Sequence, residues 1–157
     1  MEAATTLGPP TSPGEMLRPF NALEIGDRFI SRGRTITETD VVNFAALTAD
    51  WNPVHTDAAY AETTPFGQRV AHGMLLLSYS IGLVPNERIV ALRRLKNVVF
   101  KKPVFFGDTI RVIATIADLR PMGDEVGLVT GRWRILNQRE ETVFKLEIEA
   151  LWTNEEP

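Results

Sequence analysis

Residues 74–84 read Met-Leu-Leu-Leu-Ser-Tyr-Ser-Ile-Gly-Leu-Val, and Pro85 follows them. The stretch is apolar almost all round, which is typical of a helix that is buried on every side. At about 1.5 Å per residue such a helix is roughly 16 Å long, a length that suits a helix lying across a curved sheet. We therefore expect one central, buried helix at this point of the chain.

The chain after this helix changes to a period of two. Every second residue from Phe144 to Trp152 is apolar, and Lys145, Glu147 and Glu149 lie between them, which predicts a half-buried strand. Similar β-rich runs occupy residues 89–100, 109–117 and 126–136. Because turns rather than helices separate these runs, we expect an antiparallel sheet. The predicted fold class is α+β, with one sheet and one buried helix.

Two shorter helices are expected before the central one. Thr37 and Asp40 match a capping box at a helix start, and apolar residues follow them at helical spacing. This helix must end before Pro53, because the residue that precedes a proline is pushed out of the helical region. A short second helix is expected at residues 57–61.

The domain organisation follows from length and proline content. A chain of 157 residues is the size of one ordinary domain. Four of its ten prolines fall within residues 1–19, so we expect a flexible, proline-rich N-terminal tail without regular structure there. The folded domain is then expected to span residues 20–157.

Composition excludes several functional classes. Seventeen Lys and Arg residues against twenty Asp and Glu residues give a net charge of −3, so neither a nucleic acid nor a membrane is an expected partner. The absence of cysteine excludes disulfides, thiolate metal sites and cysteine nucleophiles. No apolar run approaches the roughly 20 residues that span a bilayer, and the N-terminus lacks the features of a secretory signal. We expect a cytoplasmic protein.

The first of the two histidines follows an aspartate by five residues, in the stretch Asp-Trp-Asn-Pro-Val-His at residues 50–55. In a continuous helix Asp50 and His55 would point about 140° apart, but Pro53 forbids that helix and imposes a bend. The bend can direct the carboxylate and the imidazole to one point, where together they could activate a water molecule. A capping aspartate and an exposed loop histidine are the alternative interpretation.

The second histidine, His72, directly precedes Gly73 and the central helix. A helix start offers free backbone N–H groups and the positive end of the helix dipole, both suited to a polarised carbonyl or an oxyanion. Gly73 would let a substrate approach the backbone closely. The alternative is a turn glycine beside a hydrogen-bonded, partly buried histidine.

A basic stretch lies beyond the central helix and holds six of the seventeen Lys and Arg residues: Arg88, Arg93, Arg94, Lys96, Lys101 and Lys102. A phosphate-bearing ligand would explain it, with Arg93 and Arg94 as candidate binding residues, and a solvated strand face is the alternative.

A catalytic metal is not expected. Asp50, His55, Asp57 and His72 could supply ligands, but the histidines lack i,i+4 spacing and no thiolates exist.

Three segments together resemble a known family. Residues 44–57 read Phe-Ala-Ala-Leu-Thr-Ala-Asp-Trp-Asn-Pro-Val-His-Thr-Asp, which resembles the hydratase signature of the MaoC-like dehydratases, the (R)-specific enoyl-CoA hydratases of the hotdog fold. The likeness continues through residues 65–67 and 70–75 and reappears at residues 100–110, Phe-Lys-Lys-Pro-Val-Phe-Phe-Gly-Asp-Thr-Ile. It covers roughly residues 20–153, and the Asp-x-Asn-Pro-x-His and Ala-His-Gly motifs make it specific.

The resemblance implies a fold, an activity and site residues. A long helix would be wrapped by an antiparallel sheet, as the periodicities also indicate. Asp50 and His55 would activate a water that adds to C3 of a trans-2-enoyl thioester, which gives an (R)-3-hydroxyacyl thioester or, in reverse, dehydration. The N–H of Gly73 would bind the thioester carbonyl, and Asn52 would help to fix the loop. The substrate would be a thioester of coenzyme A or of an acyl-carrier protein, with no cofactor.

The resemblance also leaves two alternative functions to consider, a thioesterase and a binding module, and it favours a homodimer. A hotdog thioesterase would carry an acidic residue on or near the central helix, and residues 74–84 contain none. A non-catalytic acyl-thioester binding module would have no use for an Asp50–His55 pair. Family hydratases can carry a serine where an ungapped alignment places Ile81, so the acyl pocket is left unassigned. A homodimer is expected, because a single sheet over one helix leaves an unpaired edge.

Overall fold

The computed structural model describes residues 8–155. Its helices and strands are α1 (Pro13–Met16), a 3₁₀ turn (Phe20–Ala22), β1 (Arg28–Ile30), β2 (Arg34–Thr35), α2 (Glu38–Thr48), α3 (Pro53–Thr56), α4 (Ala58–Glu62), α5 (Gly73–Leu83), β3 (Ile89–Phe100), β4 (Thr109–Pro121), β5 (Val126–Leu136) and β6 (Thr142–Thr153). The strand order is β1-β4-β5-β6-β3, β2 also pairs with β4, and every pairing is antiparallel. The predicted α+β architecture is confirmed.

The core forms where α5 lies against the sheet. Leu75, Leu76 and Leu77 of α5 are buried with apolar residues of β4, β5 and β6: Val112, Ala114, Trp133, Ile135, Phe144, Leu146 and Ile148. These strand residues share one sheet face because side chains alternate along a strand. The alternation predicted for β6 is confirmed, since its even-numbered residues from Phe144 to Trp152 are buried.

The central helix is not buried on every side, so that expectation is wrong. Met74, Ser78 and Gly82 are exposed, and Met74 keeps 57% of its surface accessible. Residues four apart lie on one face of a helix, so these three form a stripe that faces away from the sheet. The sheet covers only one side of α5, and apolar composition does not reveal which side.

The N-terminal segment is more ordered than expected. Residues 1–7 of the predicted tail lie outside the described residues, but Pro13–Met16 forms a helical turn with a capping box between Ser12 and Glu15. Proline favours the first position of a helix because its φ is already suitable. The N–H of Thr11 donates to the carbonyl of Ile30 at 2.9 Å, which joins this segment to the end of β1. The expectation of no regular structure is therefore wrong for residues 13–16.

The elements before α5 agree with the sequence in most respects. Thr37 and Asp40 form the expected capping box, α2 ends before Pro53, and α4 is capped by Asp57. The single turn α3 and the short strands β1 and β2 were not predicted. Within residues 8–155 no helix is both long and apolar enough to cross a membrane.

Candidate active site

The loop after α2 carries the first candidate residue. Ala49 ends α2 in the left-handed conformation with φ of 58°, which a residue other than glycine rarely adopts. The chain then turns through Asp50, whose carboxylate Oδ1 accepts a hydrogen bond from the Asn52 N–H at 3.3 Å. The Asn52 side chain accepts from the Val54 N–H at 3.1 Å and caps α3, with Pro53 in the first helical position. Asn52 thus fixes this loop, and it does not line the cavity described below.

The second candidate residue, His55, lies in α3 and is held by one backbone carbonyl. Its Nδ1 is 2.7 Å from the carbonyl oxygen of Val70, so Nδ1–H donates and Nε2 is left as a proton acceptor. Burial lowers the pKa of His55 from 6.5; the Val70 hydrogen bond and Asp50 oppose this effect, whereas the neighbouring His72 adds to it. His55 is therefore neutral near pH 7 and is able to act as a base.

His72 is buried beneath His55, with 2% of its surface accessible. The two imidazole rings stack with centroids 3.8 Å apart and planes inclined by 33°, and the ring of Phe44 lies 5.1 Å away. Its Nε2–H donates to the backbone carbonyl of Asp50 at 3.0 Å, while the buried Nδ1 has no hydrogen-bond partner among residues 8–155. His72 therefore supports both Asp50 and His55 from below.

These contacts bring three chemically active side chains together. One ligand-type atom from each of Asp50, His55 and His72 lies within 4.8 Å of the others. The Asp50 carboxylate is half exposed, with Oδ2 at 4.0 Å from Nε2 of His72. The bend that Pro53 was expected to impose does place Asp50 beside His55. Carboxylate oxygen and imidazole nitrogen also suit a divalent ion, so this cluster is where a metal could be held.

Two helices that flank the site are joined by a partly buried hydrogen bond. Tyr79 of α5 donates its hydroxyl to Asp40 of α2 at 2.7 Å, and the guanidinium of Arg34 lies 3.9 Å from the Tyr79 ring centre. Burial raises the pKa of Asp40, but hydrogen bonds from Thr37, Tyr79 and Arg34 outweigh it and lower the pKa to about 2. The ionised Asp40 anchors α2, which leads directly to Asp50.

Gly73 begins α5 next to this cluster, so its N–H has no carbonyl partner within the helix. A Cβ atom at this position would lie 3.0 Å from the ring of Phe100, which requires glycine or a shift of the ring. The backbone N–H, the positive end of the α5 dipole and the histidine pair therefore meet at one place.

A cavity of about 500 Å³ opens over these groups. Asp50, His55, His72 and Gly73 line it together with apolar residues, among them Phe66, Met74 and Phe100. Lys101 and Lys102 also line it; both belong to the basic stretch, in which only Arg93 and Arg94 were predicted to bind the ligand. The available indication was their place in the basic stretch, between the end of β3 and Pro103.

The predicted phosphate ligands Arg93 and Arg94 do not line this cavity. Arg94 lies 3.7 Å from the carboxylate of Glu149 on β6, a carboxylate that also pairs with Lys96. Arg88 is buried and donates to the carbonyls of Leu17 and Glu155, so it contributes no surface charge at this site. A phosphate-binding role for Arg93 and Arg94 stays a prediction, with no support from the geometry of one chain.

A second cavity, of about 550 Å³, lies between the N-terminal segment and the sheet. Its walls are mostly apolar, with Met16, Phe29 and Trp133 among them, and Arg18 and Arg28 also line it. Val84, the residue after α5, contributes to this cavity, whereas Gly73 at the start of α5 lines the first. The two cavities therefore lie toward opposite ends of the central helix.

The chain is similar to a known family and to known proteins. The family model described as "MaoC like domain" matches residues 21–135. The chain is 36% identical to an (R)-specific enoyl-CoA hydratase of Aeromonas caviae over 63% of this chain and 75% of that protein. The chain spans 30% of the length of a relative named protein MaoC, from Klebsiella aerogenes. It spans 66% of a 3-hydroxybutyryl-CoA dehydratase of Methylorubrum extorquens and 65% of an (R)-specific enoyl-CoA hydratase of Rhodospirillum rubrum.

Solved structures agree with this fold. The X-ray structure of a monoamine oxidase regulatory protein from Archaeoglobus fulgius matches with a TM-score of 0.81 and 36% identity, over 90% of this chain and 99% of that one. A Mycobacterium tuberculosis protein described as a double hotdog fold matches with a TM-score of 0.78 and 18% identity, over 88% of this chain and 46% of that one. The second likeness shows the fold alone, which is the expected hotdog.

Proposed function

The chain belongs to the MaoC-like domain family, and on that premise we propose that it is a hydro-lyase acting on acyl thioesters. The reaction is hydration of a trans-2-enoyl thioester to an (R)-3-hydroxyacyl thioester, or the reverse dehydration. One observation carries the proposal: the Asp50 carboxylate and the neutral His55 ring meet beside the free N–H at the start of α5. The similarity to the (R)-specific enoyl-CoA hydratase of Aeromonas caviae supports the same reaction.

The proposed chemistry begins with a water held between Asp50 and His55. His55 uses Nδ1–H to bind Val70, so its Nε2 accepts a proton from the water as the oxygen attacks C3. Asp50 accepts the second hydrogen bond of that water and orients its lone pair. The π bond between C2 and C3 breaks and a C3–O bond forms. We propose that His55 then delivers to C2 the proton it took from the water, so that His55 becomes neutral again and the elements of one water are added overall.

Negative charge moves to the thioester oxygen during this step, because attack at C3 produces an enolate. A carbonyl oxygen near the first turn of α5 would accept a hydrogen bond from the N–H of Gly73 and would be stabilised by the helix dipole. Preorganised N–H donors of this kind stabilise a developing oxyanion because they need no rearrangement in the transition state. This arrangement requires no metal or redox cofactor, and we propose that none takes part.

The substrate is proposed to be an acyl thioester of coenzyme A or of an acyl-carrier protein. Relatives bear both kinds of name, 3-hydroxybutyryl-CoA dehydratase and 3-hydroxyacyl-[acyl-carrier-protein] dehydratase. A thioesterase is less consistent with the site, since α5 (Gly73–Leu83) carries no acidic residue.

We also propose that the protein works as a homodimer. Among the described residues β3 pairs only with β6, so its other edge has no strand partner. That strand is 12 residues long and exposes Val90, Leu92, Val99 and Phe100. A long apolar edge of this kind is usually covered by another strand or chain. Sedimentation at micromolar concentration tests this, and a monomer would count against it.

The hydration itself is tested with a series of trans-2-enoyl-CoA substrates of different lengths. Loss of the conjugated enoyl absorbance reports turnover, and chiral analysis of the product identifies the hydroxyl configuration. The proposal expects an (R)-3-hydroxyacyl product. An (S) product would refute the stereochemical part of it, and release of free thiol without hydration would indicate a thioesterase. Binding without turnover of any substrate would indicate a binding module.

A further inference from the structure

The lysine at the end of β3 has a position that the proposed chemistry does not use. Lys101 directly follows β3, and its N–H donates to the carbonyl of Val143 at 2.8 Å, which fixes its backbone against β6. Its neighbour Phe100 packs on Gly73, so Lys101 is one residue from the ring that touches the proposed oxyanion site. Lys101 also lines the site cavity.

Three other cations of the basic stretch, Arg94, Lys96 and Lys102, form salt bridges with carboxylates of the protein. Lys102 binds Glu141 at 2.5 Å, and Arg94 and Lys96 share Glu149. Hydrogen bonds from Asn137, Lys102 and Arg139 lower the pKa of Glu141 to about 2, so this partner of Lys102 stays ionised. Within residues 8–155 no carboxylate lies within salt-bridge distance of the Lys101 side chain.

The charge of the cavity is therefore not balanced at Lys101. Asp50 is the one acidic residue among those that line the cavity, and the proposed chemistry employs it for the water. A flexible ammonium beside a largely apolar cavity, with no carboxylate of residues 8–155 to pair with, suits an anionic group carried by the ligand. Both proposed carriers of the acyl group, coenzyme A and the prosthetic arm of an acyl-carrier protein, bear phosphate.

We infer that Lys101 binds a phosphate of the substrate's thioester carrier, an inference that rests on the proposed hydration of acyl thioesters. Lys101 is thus a substrate-binding residue, and the acid–base chemistry remains with Asp50 and His55. Because the side chain is exposed, the attraction is weakened by salt, and its effect falls on KM rather than on kcat.

The test compares K101Q and K101R with the unchanged protein on matched thioesters. The substrates are a trans-2-enoyl-CoA, the same acyl group on 4′-phosphopantetheine, and the same group on pantetheine, which has no phosphate. K145Q is the control variant, because Lys145 is an exposed lysine of β6 that does not line the cavity. Each KM and kcat is measured at low and at high salt.

K101Q is expected to raise KM for the coenzyme A thioester about three- to tenfold at low salt, with a smaller change at high salt. KM for the pantetheine thioester should not change, K101R should retain most of the affinity, and K145Q should resemble the unchanged protein. The same loss with phosphopantetheine identifies the phosphate that both carriers share, and a loss with coenzyme A alone identifies the nucleotide phosphates.

An equal change for the pantetheine thioester, or no change for any thioester, would overturn the inference. Either result differs from failure of the proposed function, in which the unchanged protein hydrates none of the thioesters.

Discussion

His55 and His72 lie ring against ring with centroids 3.8 Å apart, and both are anchored to backbone carbonyls, His55 to Val70 and His72 to Asp50. Val70 belongs to the segment before α5, and Asp50 belongs to the loop after α2. The stack therefore connects the loop after α2 with the start of α5. It also places a buried ring against the base, which disfavours a positive charge on His55.

The pH dependence of activity should report this environment. The pKa of His55 lies below 6.5, so the ring is neutral above that pH and loses its basic nitrogen as the pH falls through the lowered pKa. Hydration should therefore decline on an acidic limb whose midpoint lies below pH 6.5. The measurement is a pH profile of kcat/KM. A limb centred above 6.5 would contradict the assignment.

Substitution of the buried His72 tests how this residue affects the pH profile of kcat/KM. His72→Gln keeps a donor for the Asp50 carbonyl but removes the ring that stacks on His55. Both the burial of His55 and its repulsion by His72 should decrease, so the acidic limb should move to higher pH. An unchanged limb would show that His72 has no influence on the base.

The proximity of Asp50 and His55 could be predicted from the sequence because its cause is local. Pro53 restricts the backbone between Asp50 and His55, and the capping of α3 by Asn52 completes the bend. The burial of His72 could not be predicted, since it depends on Phe44 and on the Asp50 carbonyl, which come from other segments. Spacing along the chain carries no information on such contacts.

The basic stretch shows the same limit. Arg94 and Lys101 are equivalent by composition, but Arg94 faces Glu149 on β6, about fifty residues further along the chain. The register between β3 and β6 contains three shifts, which alter the positions that a strict alternation would predict. The sequence therefore predicted a basic segment near the site, and the sheet determines which cation reaches the cavity.

The proposal that the reaction requires no metal can be tested directly. We expect that prolonged treatment with a chelator leaves kcat unchanged, because the proposed reaction uses only Asp50, His55 and a backbone N–H. Excess Zn²⁺ should inhibit, since Asp50, His55 and His72 bring suitable ligand atoms within 4.8 Å of one another. Calorimetric titration with Zn²⁺ should show weaker binding to D50N. Loss of activity on chelation that Zn²⁺ restores would refute the proposal of a metal-free reaction.

The packing of the N-terminal segment on the sheet gives a stability prediction. A Cβ atom added at Gly127 would lie 2.1 Å from the ring of Phe20, which is buried, so the ring or the strand must move. Gly127→Ala should destabilise the fold by about 1–3 kcal/mol, the usual effect of overpacking, as measured by denaturant unfolding. In a Phe20→Ala background the same change should have little effect, because the two residues are in contact.

A second glycine provides the control for that measurement. Gly82 lies in α5, is exposed, and has no atom within 4 Å of an added Cβ. Gly82→Ala should therefore leave stability unchanged or raise it by up to about 1 kcal/mol through helix propensity. Equal destabilisation by both substitutions would indicate that contact with Phe20 is not the cause.

The proposed catalytic role of Asp50 and His55 is tested by substitutions that preserve their surroundings. Asp50→Asn keeps an oxygen that can accept from the Asn52 N–H, and the Asp50 carbonyl that binds His72 belongs to the backbone. His55→Gln keeps an amide donor for Val70 and removes the titratable ring. Each change should lower kcat by a factor on the order of 10² to 10⁴ with little change in KM.

The double variant distinguishes one catalytic unit from two independent contributions. If Asp50 and His55 act on the same water, removing the second group costs little once the first is lost, so the double variant should be scarcely slower than either single variant. Asp57→Asn is the matched control, because Asp57 caps α4 just after the same loop, does not line the cavity, and is replaced by another good cap. If the loss of kcat in the double variant equals the product of the two single losses, Asp50 and His55 act in different steps. Near-normal turnover in both single variants would remove them from the mechanism.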